Sequence, residues 1–437
     1  MKARRLRIGG ATAALTAAVL FLGGALHGSP RASSAAVAQP PAADDTQTQI
    51  AKLQGELRAS RDDVRSLDAL GLAYQQRARE TGDPTYYTKS DEVLRRALRL
   101  TPRDLLATSG LGSLALSRHR FREALALGRR ARSISPTTAR NYGVIGDALV
   151  ELGRYHQGFQ AFDTMASMRP DVSSYARIGH ARLLLGDVSG ALDAFRAALD
   201  ASLGQGETEA WTRVQLSKAA FSVGRLGPAL EQAGAAVRAF PGYAPAYDAL
   251  AWAEYGHGHV QAAIAAEQEA VNRIPLPQYV AMLGDLQRSV GQTAEARRQY
   301  ALIGVIQRLL VASGVKTDLE TALFDVDHGI RLPASLALAR RAQRERPSID
   351  GDDVLAWALD RTGHCGESGF ALSTRAAFHS SVPASTPAAA SAPTKFGMRL
   401  RGFGKRATPG RSRRAHTSSR SAALASSTCR SPPASWS

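Results

Sequence analysis

From about residue 64 to 370, apolar residues return three or four positions apart in short stretches, broken by glycine, proline or polar residues. Tyr142, Ile145 and Leu149 make one such stripe, and Phe162 and Ala166 lie on the next. Each stripe predicts a helix with one buried face, and no strand-like alternation interrupts them. The breaks are of two kinds. Gly153, Gly186, Gly224, Gly258 and Gly291 fall where one helix of a pair ends, a place that favours the left-handed backbone glycine adopts cheaply. Pro102, Pro136 and Pro170, and again Pro241 and Pro275, stand thirty-four residues apart, each closing a second helix. A fixed period of this length is one pair of antiparallel helices copied many times, which buries its apolar face only against neighbouring copies. The fold class expected is all-α, a right-handed α-solenoid of helix hairpins.

Taking the closing proline as position 32 of a unit, Tyr142, Ile145, Gly146, Leu149, Gly158, Phe162 and Pro170 stand at positions 4, 7, 8, 11, 20, 24 and 32. Leu111, Gly112, Ala115, Ala124, Gly128, Ala131 and Pro136 repeat the pattern upstream, and Tyr247, Leu250, Ala251, Ala263, Ala270 and Pro275 downstream. Small residues at 8 and 20 leave room for two helices to cross closely, where added bulk would cost ~1 to 3 kcal/mol. The pattern resembles the tetratricopeptide repeat. Units end near 103, 137, 171, 209, 243, 277, 315 and 348, with a broken ninth that begins at Leu355, Ala356 and Trp357 and loses register near Cys365. The first unit carries extra residues around Thr81–Pro84, expected as a lengthened hairpin turn. Ser202 to Gly206 replaces the proline of the fourth unit with a longer loop.

The ends differ from the repeats. Met1 to Arg7 is basic and leads into an apolar run from Ile8 to Leu26, then to the small residues Ala36-Val37-Ala38. Residues 1–38 therefore read as a secretory signal cleaved after Ala38 or as a retained N-terminal membrane anchor, with the repeats outside the cytoplasmic membrane either way. Residues 39–63, with Pro40-Pro41, read as a linker. Residues 371–437, rich in Ser, Ala, Pro and Arg without one acid, read as a disordered basic tail. Such a tail is solvated or a tether to anionic envelope polymer or lipid; the abrupt change is also what a shifted frame of a GC-rich gene produces.

Charge then narrows the partner. The formal net charge is +17, but residues 1–43 hold five basic residues and no acid, and 371–437 hold eleven and no acid, which leaves the repeats at +1. Such a domain has no basic face for phosphate, so a nucleic-acid partner is not expected. Cys365 and Cys429 lie beyond the intact units, without a disulfide framework or nucleophile context. His257 and His259 read as turn residues, not metal ligands, and Asp325, Asp327 and His328 as the solvated face and end of a helix. With no phosphate loop, dinucleotide fingerprint or HExxH, neither enzymatic activity nor a cofactor is expected.

What the resemblance implies is a concave groove lined by positions 2, 5, 9 and 12 of the first helices. Those positions hold Arg140, Asp147, His180, Trp211, Lys218, Phe221, Asp248, Trp252, Tyr255, Asp285 and Arg288. The aromatics among them are either a hot spot for a peptide or packing between neighbouring hairpins. The expected function is a non-catalytic scaffold binding a protein or peptide segment in the groove. The alternatives are an organiser of an envelope assembly through convex or end surfaces, and a hydrolase or carrier for envelope polymer.

Overall fold

The computed structural model describes residues 43–364 together with 366 and 367. The expected signal or anchor, the basic tail, Cys365 and Cys429 lie outside the described residues. Among the described residues the chain is all helix, a right-handed α-solenoid. A leading helix, α1 (Ala43–Ala59), precedes eight hairpins and a closing single helix. The hairpins are α2 (Val64–Thr81) with α3 (Thr85–Leu100), α4 (Leu105–Ser117) with α5 (Phe121–Ile134), and α6 (Ala139–Glu151) with α7 (Tyr155–Met168). Next come α8 (Val172–Leu184) with α9 (Val188–Asp200), α10 (Glu207–Ser222) with α11 (Leu226–Ala239), and α12 (Ala244–Gly256) with α13 (Val260–Arg273). The last two are α14 (Pro277–Ser289) with α15 (Thr293–Ala312) and α16 (Asp318–His328) with α17 (Leu332–Glu345), followed by α18 (Ile349–Arg361). No described helix is long and apolar enough to cross a membrane.

The local chemistry explains the register. Gly153, Gly186, Gly224, Gly258 and Gly291 have φ between +70° and +84° at the hairpin turns, as their spacing predicts. Gly179, at position 8, leaves its crossing point to the Phe195 ring, where a Cβ would fall 2.7 Å from an aromatic carbon. The core is a chain of small clusters, each shared by one hairpin and the next: Phe121, Leu125 and Leu149 in one, Tyr155, Phe159, Phe162 and Ala181 in another.

Two sequence expectations are corrected. Residues 39–63 contain a helix, α1, whose Ile50 and Leu53 pack on Leu70, Ala73 and Tyr74 of α2, so it covers the apolar face that the first hairpin would otherwise expose. The extra residues of the first unit do not lengthen its turn. Gly82 to Pro84 is a three-residue turn like the others, and α2 instead runs 18 residues against 13 in α4 and α6. Val354, Ala358 and Leu359 of α18, the last helix described, pack on the core formed by Leu319, Val326 and Leu336. The loop at Ser202 to Gly206 is present as expected, between α9 and α10.

The superhelix closes upon itself. The turn of the first hairpin meets Ile274, after the sixth, through Gly82. The turn of the second meets residues 314–316, after the seventh: the Lys316 amide donates to the Arg118 carbonyl at 3.1 Å and the Arg120 Nε to the Gly314 carbonyl at 3.1 Å. The third meets residues 346–349, where the Arg346 guanidinium reaches the Glu151 carboxylate and the Ile349 amide donates to the Tyr155 hydroxyl. One winding thus rests on the next, five units on.

Candidate functional site

The first helices lie at the centre of this winding, and α4, α6 and α10 are buried over most of their surface. Several predicted groove residues are consequently inside. Asp147 and Arg177, on successive first helices, form a bidentate ion pair at 2.8 to 3.2 Å with both side chains 2 % exposed. Burial raises the Asp147 carboxyl and the guanidinium draws it back. His180 is buried, and burial with Arg177 nearby lowers it to about 4, so it is neutral. Trp211, 4 % exposed, packs on Val172, Ala176 and Tyr243. These three hold hairpins together and line no open groove, contrary to the sequence expectation. A one-dimensional pattern assigns a face to each position, whereas the tight winding decides whether that face sees water. Arg140 is half-buried beside Arg169.

The remaining predicted residues gather along α10, α12 and α14. Lys218 Nζ lies 3.1 Å from Asp248 Oδ2, and Trp252 Nε1 donates to Asp248 Oδ1 at 3.1 Å. Phe221 meets Trp252 edge to face with centroids 5.9 Å apart. Trp252 and Tyr255 rest on the core of Met282 and Leu286. Phe221, Trp252 and Tyr255 nevertheless keep part of their surface in water. Asp285 follows in line, accepting from Tyr300 Oη at 2.6 Å, His328 Nε2 at 3.0 Å and Arg288 Nη2 at 3.0 Å. Burial would raise its carboxyl, but the bonds from His328 and Tyr300 outweigh that and hold it below the ordinary range. His328 therefore bridges the seventh and eighth units. Asp325 is buried and paired with Arg331 at 2.7 Å, where the sequence suggested a solvated face, and Asp327 accepts the Trp357 indole N–H at 2.9 Å. His257 and His259 flank the turn between α12 and α13, as expected.

Two features lacked a sequence signal. Glu267 of α13 is fully buried with neither carboxylate oxygen bonded among the described residues, and burial with Asp248 nearby raises it well above the usual range against the pull of Lys218. The seam between windings encloses a cleft of about 460 Å³ lined by His119, Phe121, Lys316, Glu320 and Arg346, whose acids and bases are engaged with one another. Among the described residues no group of three His, Cys, Asp or Glu is placed to hold a metal ion.

A family model described as tetratricopeptide repeat matches residues 87–139 and 144–205. No curated protein matches the chain. Among solved structures, the human IFIT1 dimer with m7Gppp-AAAA is similar at 14 % identity over 78 % of each chain, with a TM-score of 0.50. The Cut9 and Hcn1 hetero-tetramer of the APC/C is similar at 14 % over 72 % of this chain, which spans 59 % of that one, with a TM-score of 0.47. A protein of Thermus thermophilus described as a thermophilic TPR protein, TTC0263, is 23 % identical over 41 % of this chain and 92 % of its own, with a TM-score of 0.36. At 14 % identity the likeness to the IFIT1 structure bears on the fold alone.

Proposed function

From the premise that this chain is a tetratricopeptide-repeat protein, a helical scaffold for protein interaction, we propose that it is non-catalytic and holds a peptide or protein segment along the inner surface of its fifth to seventh units. The observation that carries this is the cluster of Phe221, Trp252 and Tyr255, half in water and backed by the Lys218–Asp248 pair and by Asp285. Rigid aromatics fixed from behind and open in front lose little entropy on binding, which is what anchors an interface. Asp147, His180 and Trp211 belong to the packed interior of the solenoid and not to the lining of this site. The near-neutral charge of the repeats supports a protein partner over nucleic acid. The basic start and apolar run of residues 1–38 support a location outside the cytoplasmic membrane, with membrane contact through that segment where it is retained.

A photo-crosslinking residue at Tyr255, compared with one at the outward-facing Arg196, tests the reading in the full chain. The expected result is an adduct from position 255 that is absent from 196. It disappears in Phe221→Ala with Trp252→Ala, whose circular dichroism spectrum stays that of the parent. Equal adducts from both positions, or adducts that survive the double substitution, overturn the inner-surface site. The alternative of assembly through the outer surface has one observation in its favour, the apolar exterior of α15.

A further inference from the structure

Every pair of consecutive helices from α1 to α18 is closely packed along its length except α15 with α16, which meet in the first half of α15 through Tyr300 against Phe324 and His328. The sequence shows why. Position 32 of the seventh unit is Arg308, where every other hairpin except the fourth, which ends in the Ser202 to Gly206 loop, has the proline that stops the second helix. Helix α15 therefore runs 20 residues against 14 in α5, α7, α11, α13 and α17, and overshoots the place where the next hairpin would cover it. The position that is a buried Leu125 in the second unit and a buried Phe159 in the third is here Arg297, in water. On the outer surface Leu302, Val305 and Leu309 form a stripe at 37, 43 and 55 % exposure. No other described helix carries more than one large apolar residue so exposed.

We propose that this face of α15 is the docking site for an amphipathic helix of another protein, apolar along one side and edged by Asp or Glu. The charge around the stripe selects that occupant. Between Glu295 and Asp318 the chain has no acid, while Arg297 and Arg308 line one edge of the stripe, and no described carboxylate lies within ion-pair distance of either. Arg298 at its head is held by Glu295 at 2.8 Å. A second copy of this chain laid antiparallel would set Arg297 against Arg308 and repel. The chain's own ends, both strongly basic, are disfavoured for the same reason. A straight five-turn helix of about 30 Å with a narrow apolar ridge fits the groove-and-ridge packing of another helix, and supplies the cover that α16 fails to give. This rests on the scaffold reading, but on a surface separate from the Phe221–Trp252 cluster.

The test uses the full chain and two synthetic 20-residue helical peptides that share a Leu stripe at positions i, i+3 and i+7, one edged with Glu and the other with Lys. Fluorescence anisotropy is expected to show saturable, salt-sensitive binding of the Glu-edged peptide only. Affinity falls about tenfold or more in Leu302→Gln with Leu309→Gln and in Arg297→Glu with Arg308→Glu, while Phe221→Ala with Trp252→Ala leaves it unchanged. That last arm separates failure of this site from failure of the inner one. Equal binding of both peptides, or none, overturns the proposal. So do two other outcomes that depend on Leu302 and Leu309: a concentration-dependent dimer in light scattering, which would make the occupant a second copy, and capture by anionic phospholipid vesicles in place of the peptide, which would make it a membrane.

Discussion

Glu267 is costly where it stands, because a carboxyl group with no partner is tolerable inside a protein only when it carries a proton. Its folded-state pKa stands well above the unfolded value, so folding binds a proton. Below the unfolded pKa, about 4.3, both states are protonated and the group costs nothing electrostatic; as pH rises through that value the cost grows, until the folded pKa is passed. Glu267→Gln, of the same shape and uncharged, is expected to melt with the parent near pH 4 and above it at pH 7, with a gap of about 1.4 kcal/mol for each unit by which the two pKa values differ. A gap that does not change with pH would mean Glu267 has a partner in solution. At this scale the sequence was most legible at glycines and least at charges. The left-handed turns of Gly153 and Gly258 follow from spacing alone, whereas Asp147 and Asp325 look like any surface acid until the partners Arg177 and Arg331 are placed beside them. Gly179→Leu tests the legible half. The Phe195 ring leaves no room for the side chain, and an overpacking loss of about 1 to 3 kcal/mol is expected in urea unfolding.

Between the hairpins, what each element does depends on which neighbour covers it. The stripes at three- and four-residue spacing made the helical class legible, because that spacing puts one apolar face on a helix and not on a strand. Helix α1 escaped because residues 43–59 are polar on most faces and the proline pair before them suggested a linker; Ile50 and Leu53 reach the core, and Leu57 packs against it. Its role is cover, and removal of residues 39–59 is expected to expose Leu70, Ala73 and Tyr74 and to lower the melting temperature, with amide exchange rising first in α2 and α3. An unchanged melting temperature would return the segment to the status of a linker. The seventh unit teaches the opposite lesson. The missing proline at Arg308 was visible in the sequence, but its consequence, a second helix that outruns its neighbour, needed the geometry of the next junction.

Contacts between windings tie residues almost two hundred positions apart, and no period in a sequence reports them, since the repeat encodes each unit's fit to the next and not to the fifth beyond. These contacts decide how far the predicted groove is open. At the seam Glu151 is buried, which pushes its carboxyl up to about 7 even with the Arg346 guanidinium alongside, and Arg346 also reaches Glu320 at 3.2 Å while its guanidinium lies over the Phe121 ring. Loss of the guanidinium would leave Glu151 inside without its counter-charge, an arrangement that costs about 3 to 5 kcal/mol when the pair stays buried. A solenoid has a cheaper course than global unfolding, because its hairpins are stable through neighbours along the chain and the windings can part. Arg346→Ala is therefore expected to keep its helical content and to expand, with a larger radius of gyration in small-angle scattering and faster amide exchange at residues 118–120 and 314–316. Glu151→Gln, which removes the stranded charge while keeping the shape, should restore the closed winding in the double variant. If Arg346→Ala instead scatters like the parent, the other contacts between windings, such as the Lys316, Arg120 and Tyr155 bonds, hold them together, and Arg346 is a passenger at the seam.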